Sequence, residues 1–162
     1  MTAKLDMERC SSSMQLTRAA DYAVRVMIFL AALPPGDRAS LPSVVEATGA
    51  PFSFLSKVLQ GLTRVELITS RRGPAGGFAI TPFGRRASML DVVEAIDGPI
   101  SLNLCLSERR ACQRKFWCPA HPVWTKAQEA LLGVLSTAMI ADLASGDGNL
   151  PALAQIKTGT DD

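Results

Sequence analysis

The chain has 162 residues, of which 48% are hydrophobic and 20% charged, with a formal net charge of +2. That length and balance suit a folded protein with a real core, as one domain or a small domain plus an oligomerisation arm, and they exclude a disordered chain. The longest apolar run, Val26 to Leu33, is far shorter than the ~20 residues of a membrane helix, and residues 1–13 hold no signal-peptide core, so a cytoplasmic protein with no membrane contact is expected.

Residues 1–13, MTAKLDMERCSSS, read as a polar, disordered leader in which Cys10 is incidental, and Met14 is an alternative start. Thr17 is a good N-cap for a helix running to about Leu33, with Ala19, Ala20, Ala23, Val26, Met27 and Leu30 along one face. Pro34-Pro35-Gly36 ends it. Ser40 caps a short second helix to about Ala47, with Leu41, Val44 and Val45 inward, and Thr48-Gly49 makes the turn. A third helix from about Pro51 to Val65 has the apolar stripe Leu55, Val58, Leu59 and Leu62. Its outer face carries Ser53, Ser56, Lys57, Gln60 and Arg64.

Two strand-like runs follow, Leu67 to Ser70 and Gly77 to Thr81, joined by a loop of Arg, Gly and Pro that includes Arg71 and Arg72. Three helices and a basic, glycine-rich hairpin predict a mainly α fold with a small β-hairpin wing, a winged helix-turn-helix in which one helix enters the major groove and the hairpin lies on the backbone. Ser88 to Ile96 predicts another helix, ended by Asp97-Gly98-Pro99. Farther on, Trp124, Ala127, Leu131, Val134 and Ala138 alternate by three and four, the seam of a long dimerisation helix. The expected organisation is a leader over 1–13, a DNA-binding domain over 14–86, a cysteine loop and dimerisation helix over 87–144, and a flexible tail over 145–162.

Charge supports this division. Residues 14–86 carry nine Lys/Arg against four Asp/Glu, a balance of +5, and residues 87–162 carry six against nine, a balance of −3. The basic half is the candidate nucleic-acid surface. Ser53, Ser56, Lys57, Gln60, Arg64, Arg71 and Arg72 are its candidate contacts, because Lys and Arg neutralise phosphates while Ser and Gln also reach base edges. Gly73, Gly76 and Gly77 are no phosphate loop, since neither a Lys-Ser/Thr pair at a helix start nor a βαβ unit accompanies them.

The segment LCLSERRACQRKFWCPAHPVW holds Cys105, Cys112, Cys118 and His121 in the pattern C-x6-C-x5-C-x2-H. Three thiolates and an imidazole suit zinc or an iron–sulphur cluster. The intervals are looser than zinc knuckles, so spacing leaves the two open, with a metal-free thiol switch as a third reading. The single histidine lies inside this segment, and no triad or paired-carboxylate arrangement stands out, so the chain is not expected to be an enzyme. A small iron–sulphur electron carrier that binds no DNA is the competing class.

Taken in order, MQLTRAADYAVRVMIFLA, FLSKVLQGLTRVELITSRRGPAGGFAIT, LDVVEAIDGP, CPAHPVW and IADLA resemble the Rrf2 family of bacterial winged-helix transcription regulators over about residues 14–144. The resemblance implies a homodimer on a roughly palindromic double-stranded promoter site, with one iron–sulphur cluster per subunit held by Cys105, Cys112 and Cys118. In the IscR-like branch a histidine at the place of His121 completes a [2Fe-2S] site, the favoured form. In the NsrR-like branch a carboxylate from the partner's first helix, at the place of Asp21, completes a [4Fe-4S] site. The first cysteine interval is one residue longer than is usual for IscR-like chains, and Ser56 stands where they tend to carry Glu. SKVLQGL is closer to the NsrR side, so the recognition helix and the histidine point to different branches.

Overall fold

The computed structural model describes residues 16–107 and 112–146. The leader with Cys10 and Met14, and all of the tail beyond Gly146, lie outside the described residues. Seven helices and one hairpin make up the described fold.

Helix α1 (Arg18–Ala32) starts where Thr17 accepts a hydrogen bond from the Ala20 amide. It is the hub of the core, packing against the second, third, fifth and seventh helices. Ala20, Ala23, Val26, Met27 and Leu30 are buried, and each fully buried large side chain contributes about 1.5–3 kcal/mol. Arg85 closes the other end, its guanidinium donating to the carbonyls of Ala31 and Leu33 at 3.0 Å each, where the helix leaves acceptors unpaired.

Helix α2 (Leu41–Thr48) has the expected Ser40 cap and a left-handed Gly49 at its end. Only Val44 of its apolar face is fully buried, with Leu41 and Val45 half-buried. Helix α3 (Phe52–Arg64) buries Leu55, Val58, Leu59 and Leu62, the stripe that periodicity predicts. Gly61 lets it lie close to the helix over Met89–Asp97, because a Cβ there would meet Ile96 Cδ1 at 2.9 Å.

The wing is an antiparallel pair, β1 (Ile68–Arg71) and β2 (Gly77–Ile80), in the register Ile68↔Ile80 and Arg71↔Gly77. The first strand starts one residue later than predicted. Glu66 turns the chain at φ +60 and Leu67 is buried at that corner. Ala39 adds a bridge that sequence reading missed, exchanging two 2.9 Å hydrogen bonds with Phe78. Gly77 is required there: its φ is +126 and a Cβ would lie 2.5 Å from the Ala39 carbonyl oxygen.

A short α4 (Pro82–Arg85), capped by Thr81, follows the wing. Helix α5 (Met89–Asp97) starts with a capping box between Ser88 and Asp91. Helix α6 (His121–Thr137) and α7 (Ile140–Ser145) come last. The predicted seam through Ala138 needs correction. Ala138 lies beyond α6, because Ala138 and Met139 are extended and Met139 bridges Ser88, with Met89 donating to Ala138 at 2.8 Å and Ile140 to Ala87 at 2.9 Å. The break sends α7 back onto α1, where Ile140 and Leu143 enter the core. No described helix is long and apolar enough to cross a membrane.

Candidate nucleic-acid interface and cysteine segment

Helix α3 and the wing form the two walls of a groove of about 510 Å³. Ser56, Gln60, Arg64, Arg71 and Arg72 line it together, with Leu41 and Phe78 beneath. Ser53 and Lys57 are exposed on α3 but do not line this groove. Ser56 is half-buried and its hydroxyl donates back to the Phe52 carbonyl at 3.3 Å. Arg38, absent from the predicted set, donates to the Gly77 carbonyl at 3.1 Å and so holds the base of the wing. Its signal lay in the Ala39 bridge, which no local periodicity reveals. Lys57, Arg64, Arg71 and Arg72 have no ion-pair partner among the described residues, where the one ion pair joins Asp21 to Arg25. Their charge is therefore not neutralised by an ion pair among the described residues.

The three cysteines carry free thiols and each is half-buried. Cys105 sits in a short 3-10 turn, Leu104–Leu106. The segment leading to it is tied down twice: Ile100 donates to the Glu94 carboxylate at 3.3 Å, and Leu102 to the Gln128 side chain at 3.0 Å. Cys112 follows residues 108–111, which lie outside the described residues. The Cys118 backbone carbonyl accepts a hydrogen bond from the His121 amide at 3.1 Å, and His121 is the first residue of α6. The described residues contain no group of three or more His, Cys, Asp or Glu side chains gathered closely enough to hold a metal ion. The predicted ligands thus share one segment without being drawn to one point.

One atom in that segment lacks a partner. His121 Nδ1 is buried and makes no hydrogen bond, a condition that costs about 1–3 kcal/mol if nothing relieves it. A metal bond is one way to satisfy such a nitrogen. Three free thiols and this imidazole fit an iron–sulphur or zinc site in donor chemistry, although not in assembled geometry.

Asp21, the alternative ligand, is already engaged. Its carboxylate lies 2.8 Å from the Arg25 guanidinium. Arg25 also reaches the Thr48 carbonyl at 3.4 Å and lies 5.7 Å from the centre of the Tyr22 ring, which meets Phe54 edge-on at 6.0 Å. Sequence reading missed Arg25, although its spacing of four from Asp21 is the signal for an ion pair.

The Rrf2 family model, described as an iron-dependent transcriptional regulator, matches residues 16–146. The chain belongs to the Rrf2 family. Rrf2 neighbours among solved structures share the fold. CymR of Staphylococcus aureus is 24% identical, with a TM-score of 0.63 over 79% of this chain and 96% of its own. IscR of T. potens is 21% identical, with a TM-score of 0.65 over 82% and 88%. CymR of B. subtilis, described as the global cysteine regulator, is 24% identical, with a TM-score of 0.60 over 82% and 97%. The Rrf2 assignment makes the protein a transcriptional regulator with a mainly helical winged-helix fold. Its α3–wing groove and its cysteine segment are then the places to look for operator and signal.

Proposed function

We propose that this Rrf2 protein is a cytoplasmic, non-enzymatic regulator that binds a roughly palindromic double-stranded promoter site as a homodimer. Its signal is iron–sulphur status, redox state or nitric oxide, read through an iron–sulphur cluster held by Cys105, Cys112, Cys118 and His121. Residues 14–86 bind DNA through Ser53, Ser56, Lys57, Gln60, Arg64, Arg71 and Arg72. Residues 87–144 sense and dimerise. The observation that carries the ligand assignment is the buried, unpartnered Nδ1 of His121, three residues after Cys118, whose backbone carbonyl accepts from the His121 amide.

When bound, the cluster supplies a redox-active group on soft donors. The chain's own part is mechanical. Residues 105–121, once drawn together by ligation, brace α5 and α6 and fix the distance between the two recognition helices of the dimer. Half-sites about 34 Å apart are bound well only by a dimer of matching spacing. Loss of ligation changes DNA affinity by a coupling of about 1–3 kcal/mol.

A second reading keeps the fold and replaces the cluster by structural zinc or a thiol switch. The free, ungathered thiols favour the metal-free switch within this reading. Anaerobic purification, an absorption spectrum and analysis for iron, sulphide and zinc separate the two. The cluster reading expects iron and sulphide with visible absorption, and unequal DNA binding by holo- and apo-protein. Zinc alone, no metal, or equal binding by both forms overturns it. DNA binding should also fall steeply as salt rises, which an electron carrier would not show.

A further inference from the structure

Helix α3 exposes two phenylalanines near its start, and only one of them is accounted for by the fold. Phe54 packs edge-on against Tyr22 of α1 at 6.0 Å. Phe52 is 63% exposed, lies outside the hydrophobic core and has no ring contact among the described residues. It is the first residue of α3 and stands one turn before Ser56, which lines the groove between helix and wing. Residues four apart share a helix face, so Phe52 extends that wall toward the leading end of the helix. Its surroundings are polar and basic: Ser53, Ser56 and Lys57 on the helix, with Arg64, Arg71 and Arg72 farther along. A protein or lipid partner of apolar character would find one ring in a cationic field; a polyanion with an apolar group of its own matches both features.

We propose that Phe52 is a specificity-determining residue that packs on the 5-methyl group of a thymine in the major groove. The proposal rests on the DNA-binding reading of α3. The N-terminal residues of a recognition helix are those that reach base edges, and the thymine methyl is the apolar feature that the major groove presents, with phenylalanine among the side chains that contact it. Ser and Gln on the same face read donors and acceptors; Phe52 adds discrimination of T·A from the other pairs at one position of each half-site.

The test begins with full-length protein, as purified anaerobically, enriching binding sites from a pool of random-sequence duplexes. In the enriched duplex each thymine is replaced in turn by deoxyuridine, which deletes the methyl group and leaves every hydrogen-bonding edge in place. The wild type is expected to lose about 3- to 10-fold in affinity at one thymine per half-site, as suits one buried methyl. Phe52→Ala is expected to bind the parent duplex weakly and to be indifferent to deoxyuridine at that position. Phe52→Leu should keep part of the methyl sensitivity, and it carries the same comparison should the alanine variant unfold. Equal responses of wild type and variant to every deoxyuridine, or loss of the dimer in Phe52→Ala, overturn the proposal while leaving DNA binding intact. If no duplex is enriched at all, the DNA-binding reading fails and this inference with it.

Discussion

The chain up to α5 and the chain after it treat their apolar residues in opposite ways. In the first region α1 and α3 bury a continuous stripe each, and α2, the wing and α5 close over them. In the second, α6 is seventeen residues long yet buries only Leu135 fully, while Val123 and Val134 are each 67% exposed. Before it, Phe116 is 94% and Trp117 68% exposed, with Arg114 lying 5.6 Å from the Trp117 ring centre. The first region is closed once α7 returns onto α1 and adds Ile140 and Leu143 to its core. The second leaves apolar side chains of α6 and of the cysteine segment uncovered, as an interaction surface does.

Truncation of the core should be costly and truncation of α6 should not. Leu62 is fully buried between α3 and the core, so Leu62→Ala is expected to lower unfolding stability by about 2–5 kcal/mol. Val134→Ala should change the monomer's stability by less than about 0.5 kcal/mol. Chemical denaturation of both variants measures the difference; equal losses would erase the distinction between the regions.

A charge on α6 asks what its bare face is for. Val123, Ala127, Ala130 and Val134 are exposed at helical spacing, a line one residue removed from parts of the predicted seam. If this face joins two subunits, Val134→Asp should weaken dimerisation by at least about tenfold, since a carboxylate loses its hydration in an apolar contact. Sedimentation across a concentration series reads this out. An unchanged dimer would move the interface elsewhere.

Ser88 joins the two regions and lies next in size. It caps α5, its hydroxyl bonding Asp91, and its backbone pairs with Met139. Ser88→Ala should cost about 1 kcal/mol, measured as a lower denaturation midpoint. A loss of several kcal/mol would mean that the first region depends on the Met139 bridge more than its own packing suggests.

The contrast also explains what was legible in the sequence. The caps Thr17 and Ser40 and the α3 stripe follow from local rules, so the three helices before the wing could be read from the sequence. The Ala39 bridge, the end of α6 at Thr137 and the return of α7 depend on backbone pairing between segments far apart in sequence, which periodicity does not encode. The cysteine pattern named the donors. It could not show that Nδ1 of His121 lacks a partner or that Asp21 already has one.

That last pair gives the smallest expected effect on stability and the sharpest test of the site. An exposed ion pair four residues apart on a helix is worth about 0.3–0.5 kcal/mol, so Asp21→Ala should scarcely move the unfolding midpoint. As a ligand for the partner's cysteines, Asp21 would have to leave Arg25, which also holds Thr48 and lies against Tyr22. His121 has no hydrogen bond at Nδ1 to give up. Iron content and the visible spectrum of anaerobically purified protein should therefore change in His121→Ala and stay constant in Asp21→Ala. The reverse outcome would hand the fourth position to the partner's carboxylate, and it would make Arg25 the link between ligation and the turn that leads into α3.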